Sequence, residues 1–284
     1  MIYKYNGNNI KPDNNTFDVV AIIKTIVMRN KFLSKKYDHT YPNQQYELTD
    51  IITEIIYVLQ TGISWNKLRS NIHPRTLQRH HYYFSINNIY KKAYKIILKK
   101  YLKKIPLSQL RVISVDTSFL KNINATDRIG RNVQYKSKKG RKISIICDMN
   151  GIPLSILVST GNNHDSNFLP KHLNDLKKLK LAYDERYFCG DAIYSSINNK
   201  KIIKENDLTP IIAYNKRNTK DEQKILENKM TEDEKEIYKK RIKSENSFCW
   251  LKKNKRIEQC YEKKYMPFLG FVWLAYLRII LKRI

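Results

Sequence analysis

A mixed α/β fold, a sheet flanked by helices and preceded by an all-α N-terminal region, is what the sequence predicts, and two observations predict it. Residues 1 to about 105 read as helix after helix, whereas from Leu110 the texture changes to short β-branched runs: "RVISVDTSFL", "KISIICDMN" and "PLSILVST". Helical and extended patterns then alternate, and strands followed by such alternation build a sheet with helices on its faces. The expected organisation is therefore a helical, basic region at 1–105 and a sheet-bearing region at 106–284.

In the first region, "FDVVAIIKTIVMRN" and "LTDIITEIIYVLQTG" carry helical apolar periodicity. Thr49 is placed to cap the second, Asp50 suits its positive start, and Gly62 suits its C-terminal turn. Trp65, just beyond, reads as a core residue. In "HPRTLQRHHYYFSINNIYKKAYKIILKKYLKK" (73–104), Pro74 and Thr76 can start a helix rich in Gln, Arg and His, and a lysine-studded amphipathic helix follows. Two such helices have the character of a DNA reader, with Gln78, Arg79 and His80 as the candidates; a solvated basic face gives the same pattern.

In the second region the three β-branched runs predict consecutive strands joined by tight connections, with Asn150-Gly151-Ile152-Pro153 as the turn before the third. "DSNFLPKHLNDLKKLK" then reads as helix, "RYFCGDAIYSS" as strand and turn, "INNKKIIKEN" as helix and "TPIIAYN" as strand. The polar segment "KRNTKDEQKILENKMTEDEKE" reads as an exposed excursion, and one long final helix includes "YKKRIKSENSFCWLKK". The apolar run Met266–Leu277 is shorter than the roughly 20 residues a membrane span needs, so it reads as a core helix and no membrane partner is expected.

Fifty-four Lys and Arg face 26 Asp and Glu, a formal net charge of +28 distributed along the whole chain, which favours nucleic acid as partner over an anionic membrane. Cys147, Cys189, Cys249 and Cys260 stand singly, without a C-x-x-C pair, and read as buried thiols in a reducing compartment. The start "MIYKYNGNNIKPDNN" has no apolar secretion segment, so a cytoplasmic location is expected, nucleoid-associated if the source is prokaryotic.

Three acids stand out against this basic background. Asp116 interrupts an apolar strand, Asp191 follows an apolar run at a strand end, and Glu245 lies in the late helix. Taken alone, each reads first as a turn residue, a cap or a surface ion pair. As a set they suit metal-assisted phosphoryl chemistry, in which carboxylate oxygens hold two Mg²⁺ or Mn²⁺ ions roughly 3.5–4 Å apart. On a helix, Tyr238, Arg241, Glu245 and Lys252 fall on one stripe, whereas Lys239, Lys240 and Lys243 point elsewhere, where they can meet a DNA backbone.

That stripe, Y238-(2)-R241-(3)-E245-(6)-K252, resembles the Y-(2)-R-(3)-E-(6)-K signature of the DDE insertion-sequence transposases, the group containing insertion-sequence families four and five. "SVDTS" resembles the strand of the family's first aspartate, "GDAIYSS" its second-aspartate motif, and "LQTGISWNKLRS" its N-terminal T-G-x-x-W-x-x-L segment. His164 and Asp165 in "NNHDS" resemble its H-D-S turn, where Asp165 or Ser166 would cap a helix. The chain departs from the pattern at Ile193, where a small residue is frequent, and at Arg69, where a Pro is frequent; neither is a proposed ligand.

The resemblance implies a ribonuclease-H-like fold with Asp116, Asp191 and Glu245 as catalytic metal ligands for two Mg²⁺ or Mn²⁺ ions. It makes Tyr238, Arg241 and Lys252 accessory residues that orient Glu245 or contact phosphate. The expected activity is transposition: binding of terminal inverted repeats in double-stranded DNA, cleavage at the element ends, and joining of the 3′-OH ends to target DNA. A homodimer, at least in the DNA complex, goes with such paired-end chemistry. Two other readings stay open, a non-catalytic DNA-binding relic of a transposase and a ribonuclease-H-like nuclease without strand transfer.

Overall fold

The computed structural model describes residues 3–5, 8–10, 14–35, 37, 46–181, 185–214, 229–258 and 260–284. Strands β1 (Tyr3–Tyr5) and β2 (Asn8–Ile10) pair antiparallel and precede helices α1 (Asn14–Met28), α2 (Lys31–Ser34), α3 (Leu48–Thr61), α4 (Pro74–Ile86) and α5 (Ile89–Lys104). Strands β3 (Val112–Lys121), β4 (Gly130–Asn132), β5 (Lys138–Cys147) and β6 (Pro153–Thr160) come next. Helix α6 (Leu169–Leu179), β7 (Tyr187–Gly190), α7 (Ile197–Lys204) and β8 (Thr209–Ile212) follow. Helices α8 (Glu232–Lys239), α9 (Ile242–Lys252), α10 (Lys255–Glu258) and α11 (Tyr265–Leu281) complete the series.

These elements form two compact units. One gathers Met1–Lys104, Ile123–Asp127 and Leu251–Ile284; the other comprises Ile105–Asn122 and Arg128–Trp250. Residues 251–284, expected with the sheet from their place in the sequence, thus cluster with the N-terminal helices. The reason is apolar surface: α11 buries thirteen residues between Pro267 and Ile280, and only other helices with apolar stripes can enclose it so completely.

Within this first unit, α3 buries Leu48, Ile51, Ile52, Ile55, Ile56, Val58 and Leu59, and Gly62 ends it in the left-handed conformation (φ 70°) with its N–H donated to the Val58 carbonyl. Helix α3 starts before Thr49, with Glu47 at the cap position, because Leu48 is already drawn into the core; the Thr49 carbonyl accepts from the Thr53 hydroxyl instead. A Cβ on Gly62 would stand 3.0 Å from the Lys255 Cβ, so glycine also lets α10 pack close. Among its described residues up to Lys104 the regular elements are helices apart from the β1–β2 pair, which departs from the all-helical expectation.

Two buried polar side chains of this unit, His81 and Arg256, are well matched. His81 is stacked 3.9 Å from Phe271, its Nδ1 lies 3.1 Å from the Tyr90 hydroxyl and its Nε2 3.0 Å from the Pro267 carbonyl. Arg256 gives its Nε and Nη2 to Glu262 Oε1 at 2.8 and 2.6 Å and its Nη1 to the Ile63 carbonyl at 3.2 Å, and its guanidinium lies over the rings of Trp65 and Tyr261. Buried Trp65 also donates to Glu262, so the T-G-x-x-W-x-x-L segment is a clamp on α10 and the chain that follows it.

The second unit holds the main sheet. Its spine runs β6–β5–β3–β7–β8, with β3, β5 and β6 antiparallel neighbours and β7 and β8 parallel to β3; short β4 pairs with the start of β5. Three antiparallel strands extended by two parallel ones, with helices on the faces, form the ribonuclease-H-like fold that the family resemblance implied. The connection from β3 to β5 is longer than the tight link expected, because β4 and its turn are inserted there. The Asn150-Gly151 turn forms as predicted, with Gly151 at φ 74° and the buried Asp148 carboxylate accepting from the N–H groups of Asn150 and Ile152.

The single long final helix is instead a series of helices. Between α8 and α9 the backbone tightens, with Lys240, Arg241, Lys243 and Ser244 each bonded to the carbonyl three residues back. Thr231 and Glu234 form a reciprocal capping box that starts α8, so the end of the predicted polar excursion is helical; residues 215–228 of it lie outside the described residues. Among the described residues no helix is long and apolar enough to cross a membrane.

Candidate active site

Strand alternation puts the first two acids on one face of the sheet. Val112, Ser114 and Asp116 project alternately from β3 on the same side, and the parallel register pairs Val112 with Tyr187 and Ser114 with Cys189. Continued by two residues, that register places Asp191 opposite Asp116. Ile237 and Tyr238 of α8 pack on this face against Val112, Cys189 and Ile211. The chain then turns through Lys240 and Arg241 into α9, whose first turn bears Glu245.

Arg241 donates from Nη2 to Glu245 Oε1 at 3.0 Å, and its guanidinium lies 5.7 Å from the centre of the Tyr238 ring. Three of the four stripe residues are thus in contact although the helix between them is broken, since the tight turn at 240–241 keeps their relative phase. Lys252, the last residue of α9, is half-buried.

The electrostatics of the two aspartates are unusual for so basic a protein. Burial pushes the Asp116 carboxyl up to about 6, against the N–H of Thr117 and the Arg241 charge, which act to lower it; Asp191 and Glu245 raise it further. Burial likewise raises Asp191, opposed by the Ile193 N–H and by Arg241, with Asp165 adding to the rise and His164 opposing it. Asp116 therefore feels both Asp191 and Glu245, and the Arg241 charge acts on both aspartates. Carboxylates raised by burial that is left incompletely compensated mark functional sites more often than structural ones.

Asp191 also caps a short 3-10 turn, Ala192–Tyr194, by accepting the Ile193 N–H at 3.0 Å, so the ordinary cap reading and the functional one are both satisfied by one side chain. Ile193 contributes only its backbone to that cap and fits the turn despite its size. Buried Tyr194 donates to the Asp165 carbonyl at 3.4 Å. In the H-D-S turn it is His164 that caps, accepting the Ser166 N–H; Asp165 instead receives Lys142 Nζ at 2.6 Å in a nearly buried ion pair. A lysine inside the sheet thus holds the loop beside Asp191, a link between residues 23 positions apart that no local pattern marks.

Behind Asp116, on the other face, a chain of hydroxyls joins Thr117 to helix α6. Thr117 Oγ1 donates to Ser144 Oγ at 3.0 Å, which stands 2.9 Å from His172 Nε2, and His172 Nδ1 stands 2.8 Å from Ser155 Oγ. Ser155 donates to the Asp175 carboxylate at 3.0 Å, so it accepts from His172 Nδ1–H, and Nε2 accepts from Ser144. Burial lowers His172 to about 3, keeping it neutral in this role.

The remaining sequence candidates are dispersed. Gln78 and Arg79 are exposed on α4, and the half-buried His80 is engaged by the Tyr37 hydroxyl and packs near Phe84. Lys239 is tied to Glu236 one turn away, Lys240 is exposed and Lys243 half-buried. All four cysteines are free, and Cys249 is exposed rather than buried because it falls on the outer side of α9.

Hard carboxylate oxygens suit Mg²⁺ or Mn²⁺, and the raised aspartates are the groups a cation would relieve. Among the described residues no three of His, Cys, Asp and Glu are gathered closely enough to hold a metal ion as they stand. The donor set fits such an ion in chemistry, with Glu245 turned to Arg241.

Acids on the first strand of the spine in chain order and at the end of the fourth, β3 and β7, with a helix bringing a third, go with the ribonuclease-H-like fold. A family model described as "Transposase DDE domain" matches residues 107–277, and the chain belongs to that family. Two solved structures are similar at low identity: a piggyBac transposase synaptic complex with hairpin DNA (13% identity, TM-score 0.47, 99% of this chain and 67% of that one) and a Mos1 transposase paired-end complex with its left transposon end (10%, TM-score 0.27, 87% and 82%). No curated protein matches the sequence.

Proposed function

We propose that this chain is a DNA transposase in which Asp116, Asp191 and Glu245 serve phosphodiester cleavage at element ends and transfer of the 3′-OH ends to target DNA. The observation that carries the reading is the placing of Asp116 on β3 and Asp191 at the end of the neighbouring parallel strand β7, both carboxyls raised by burial, with α8 and α9 bringing Arg241 and Glu245 to the same face in a chain of net charge +28. Asp116, Asp191 and Glu245 would hold two Mg²⁺ or Mn²⁺ ions. Such ions, when bound, activate the attacking water or 3′-OH and stabilise the leaving oxygen.

The chain's own groups do the rest. Arg241 presents five donors and gives Glu245 one of them, leaving others for a phosphate oxygen, and the Tyr238 ring holds its guanidinium in place. Lys252, Lys240 and Lys243 supply further positive charge along the same stretch, and Gln78 and Arg79 on α4 form the candidate reading edge. The partners are double-stranded DNA, as terminal inverted repeats and target, and a second copy of the chain in the DNA complex.

The test is cleavage and strand transfer on the DNA that flanks the gene. Asp116→Ala, Asp191→Ala and Glu245→Ala are expected to lose cleavage by roughly 10³-fold or more while retaining end binding. Mn²⁺ binding, followed by its electron paramagnetic resonance signal, should weaken in each variant. A fully active triple mutant would sink the assignment, binding without cleavage by the wild type would favour the relic, and cleavage without joining of pre-cut ends would favour a nuclease.

A further inference from the structure

The insertion between β3 and β5 is an arm with a built base and a charged tip. β4 pairs with the first residues of β5 (Gly130 with Gly140, Asn132 with Lys138), and every residue from Val133 to Lys139 is exposed. Val133 is 83% exposed, and Lys136 and Ser137 both adopt left-handed backbone (φ 54° and 55°), a conformation that non-glycine residues enter at a cost.

The base is fixed by glycines and two aromatic rings. Tyr135, half exposed, stacks 4.7 Å from Phe119, which lies on β3 three residues beyond Asp116 and, by strand alternation, on the face of Thr117. A Cβ on Gly140 would stand 2.2 Å from the Leu120 carbonyl and 2.6 Å from the Phe119 ring, and one on Gly161 would stand 2.6 Å from the Gly130 carbonyl and 2.8 Å from the same ring. Only glycine permits this approach, so Phe119 and Tyr135 are seated against backbone.

Around that seat the charge is one-sided. Arg131, Lys136, Lys138 and Lys139 are exposed, no acid occurs between Gly130 and Arg141, and none of the four forms an ion pair among the described residues. Lys235, Lys239 and Lys255, on helices, are each neutralised by a Glu one turn away. Uncompensated cations beside an exposed aromatic and an exposed aliphatic fit the phosphodiester backbone and the sugar or base faces of DNA.

We propose that the arm from Gly130 to Gly140 grips DNA beside the Asp116 strand, Arg131, Lys136, Lys138 and Lys139 meeting phosphates and Val133 and Tyr135 meeting sugars or bases. This rests on the DNA-acting reading above and adds a contact that its acids and helical candidates do not include. The contact is independent of sequence, since phosphates carry no base information.

The test compares the wild type with Lys136→Gln/Lys138→Gln/Lys139→Gln on a fluorescent duplex of the gene's flanking DNA. Each lost phosphate contact lowers the slope of log affinity against log salt by about 0.9, so the triple variant is expected to lose roughly 2–3 from that slope while keeping its melting temperature. The Lys→Arg triple variant should restore the slope. A photo-crosslinking residue at Val133 should capture DNA. An unchanged slope, or crosslinks to a second protomer in place of DNA, overturns the arm while leaving the transposase reading intact. Failure of the wild type to bind the duplex overturns both.

Discussion

Two sets of buried polar groups, one in each unit, are treated in opposite ways. In the helical unit, Arg256 meets Glu262 with two bonds and His81 has a partner at each nitrogen, so burial is balanced by contacts on the spot. In the sheet unit, Asp116 and Asp191 keep raised carboxyls because the donors that face them do not offset their desolvation. The difference teaches where to look for chemistry. A polar group that the fold satisfies is structural, and one that the fold leaves short awaits something from outside.

The largest expected effect breaks the balanced side. Glu262→Ala would strand the Arg256 guanidinium and release Trp65, costing about 3–5 kcal/mol in the unfolding free energy measured in urea. Asp191→Ala, by contrast, is expected to leave stability within about 1 kcal/mol while removing cleavage.

Acid sharpens the comparison next. His81 sits near 4 and His172 near 3, both below the unfolded value of about 6.5, so the unfolded chain binds protons first as pH falls. Their contribution is fully present above about pH 6.5 and is lost progressively toward those lower values, about 2 kcal/mol for each histidine by pH 5. Thermal melts across pH should show it, and His172→Gln should remove its part of the slope.

Asp116 has the reverse sign. Its raised carboxyl binds a proton in the folded state before the unfolded one does, so the charged form detracts from stability as pH rises from about 4 through about 6. Asp116→Asn is therefore expected to stabilise the protein by about 1–2 kcal/mol at pH 7.5, with no gain below about pH 4, while abolishing cleavage. A destabilised, inactive Asp116→Asn would mean that this acid belongs with the satisfied ones. The smallest effect is at the surface: Glu236→Gln, which frees Lys239, should shift stability by less than about 0.5 kcal/mol.

Much of this was legible in the sequence because it depends on local pattern. β-Branched runs located the strands of the spine, Gly62 and Gly151 marked turns that need positive φ, and the length of Met266–Leu277 separated a core helix from a span. The spacing of Tyr238, Arg241 and Glu245 anticipated a contact that survives a break in the helix. What escaped notice depends on pairing across long stretches of chain. The return of α11 to the N-terminal helices, the Lys142–Asp165 pair and the Trp65–Glu262–Arg256 clamp join residues with no common periodicity. The partner of His80, the Tyr37 hydroxyl, is likewise remote in sequence. The inserted β4 was hidden by its shortness, three residues in a run of basic ones.

The hydroxyl chain behind Asp116 has a direction, from Thr117 through Ser144, His172 and Ser155 to Asp175, because each member gives its single proton onward. A directed chain is inherited as a whole. Once His172 is lost, Ser144 keeps Thr117 and the Asp116 carbonyl and Ser155 keeps Asp175, but the link between them is gone, so the joint loss with a second substitution at either should fall short of the separate losses added together. Among descendants of this chain, these positions would then change in company rather than one at a time.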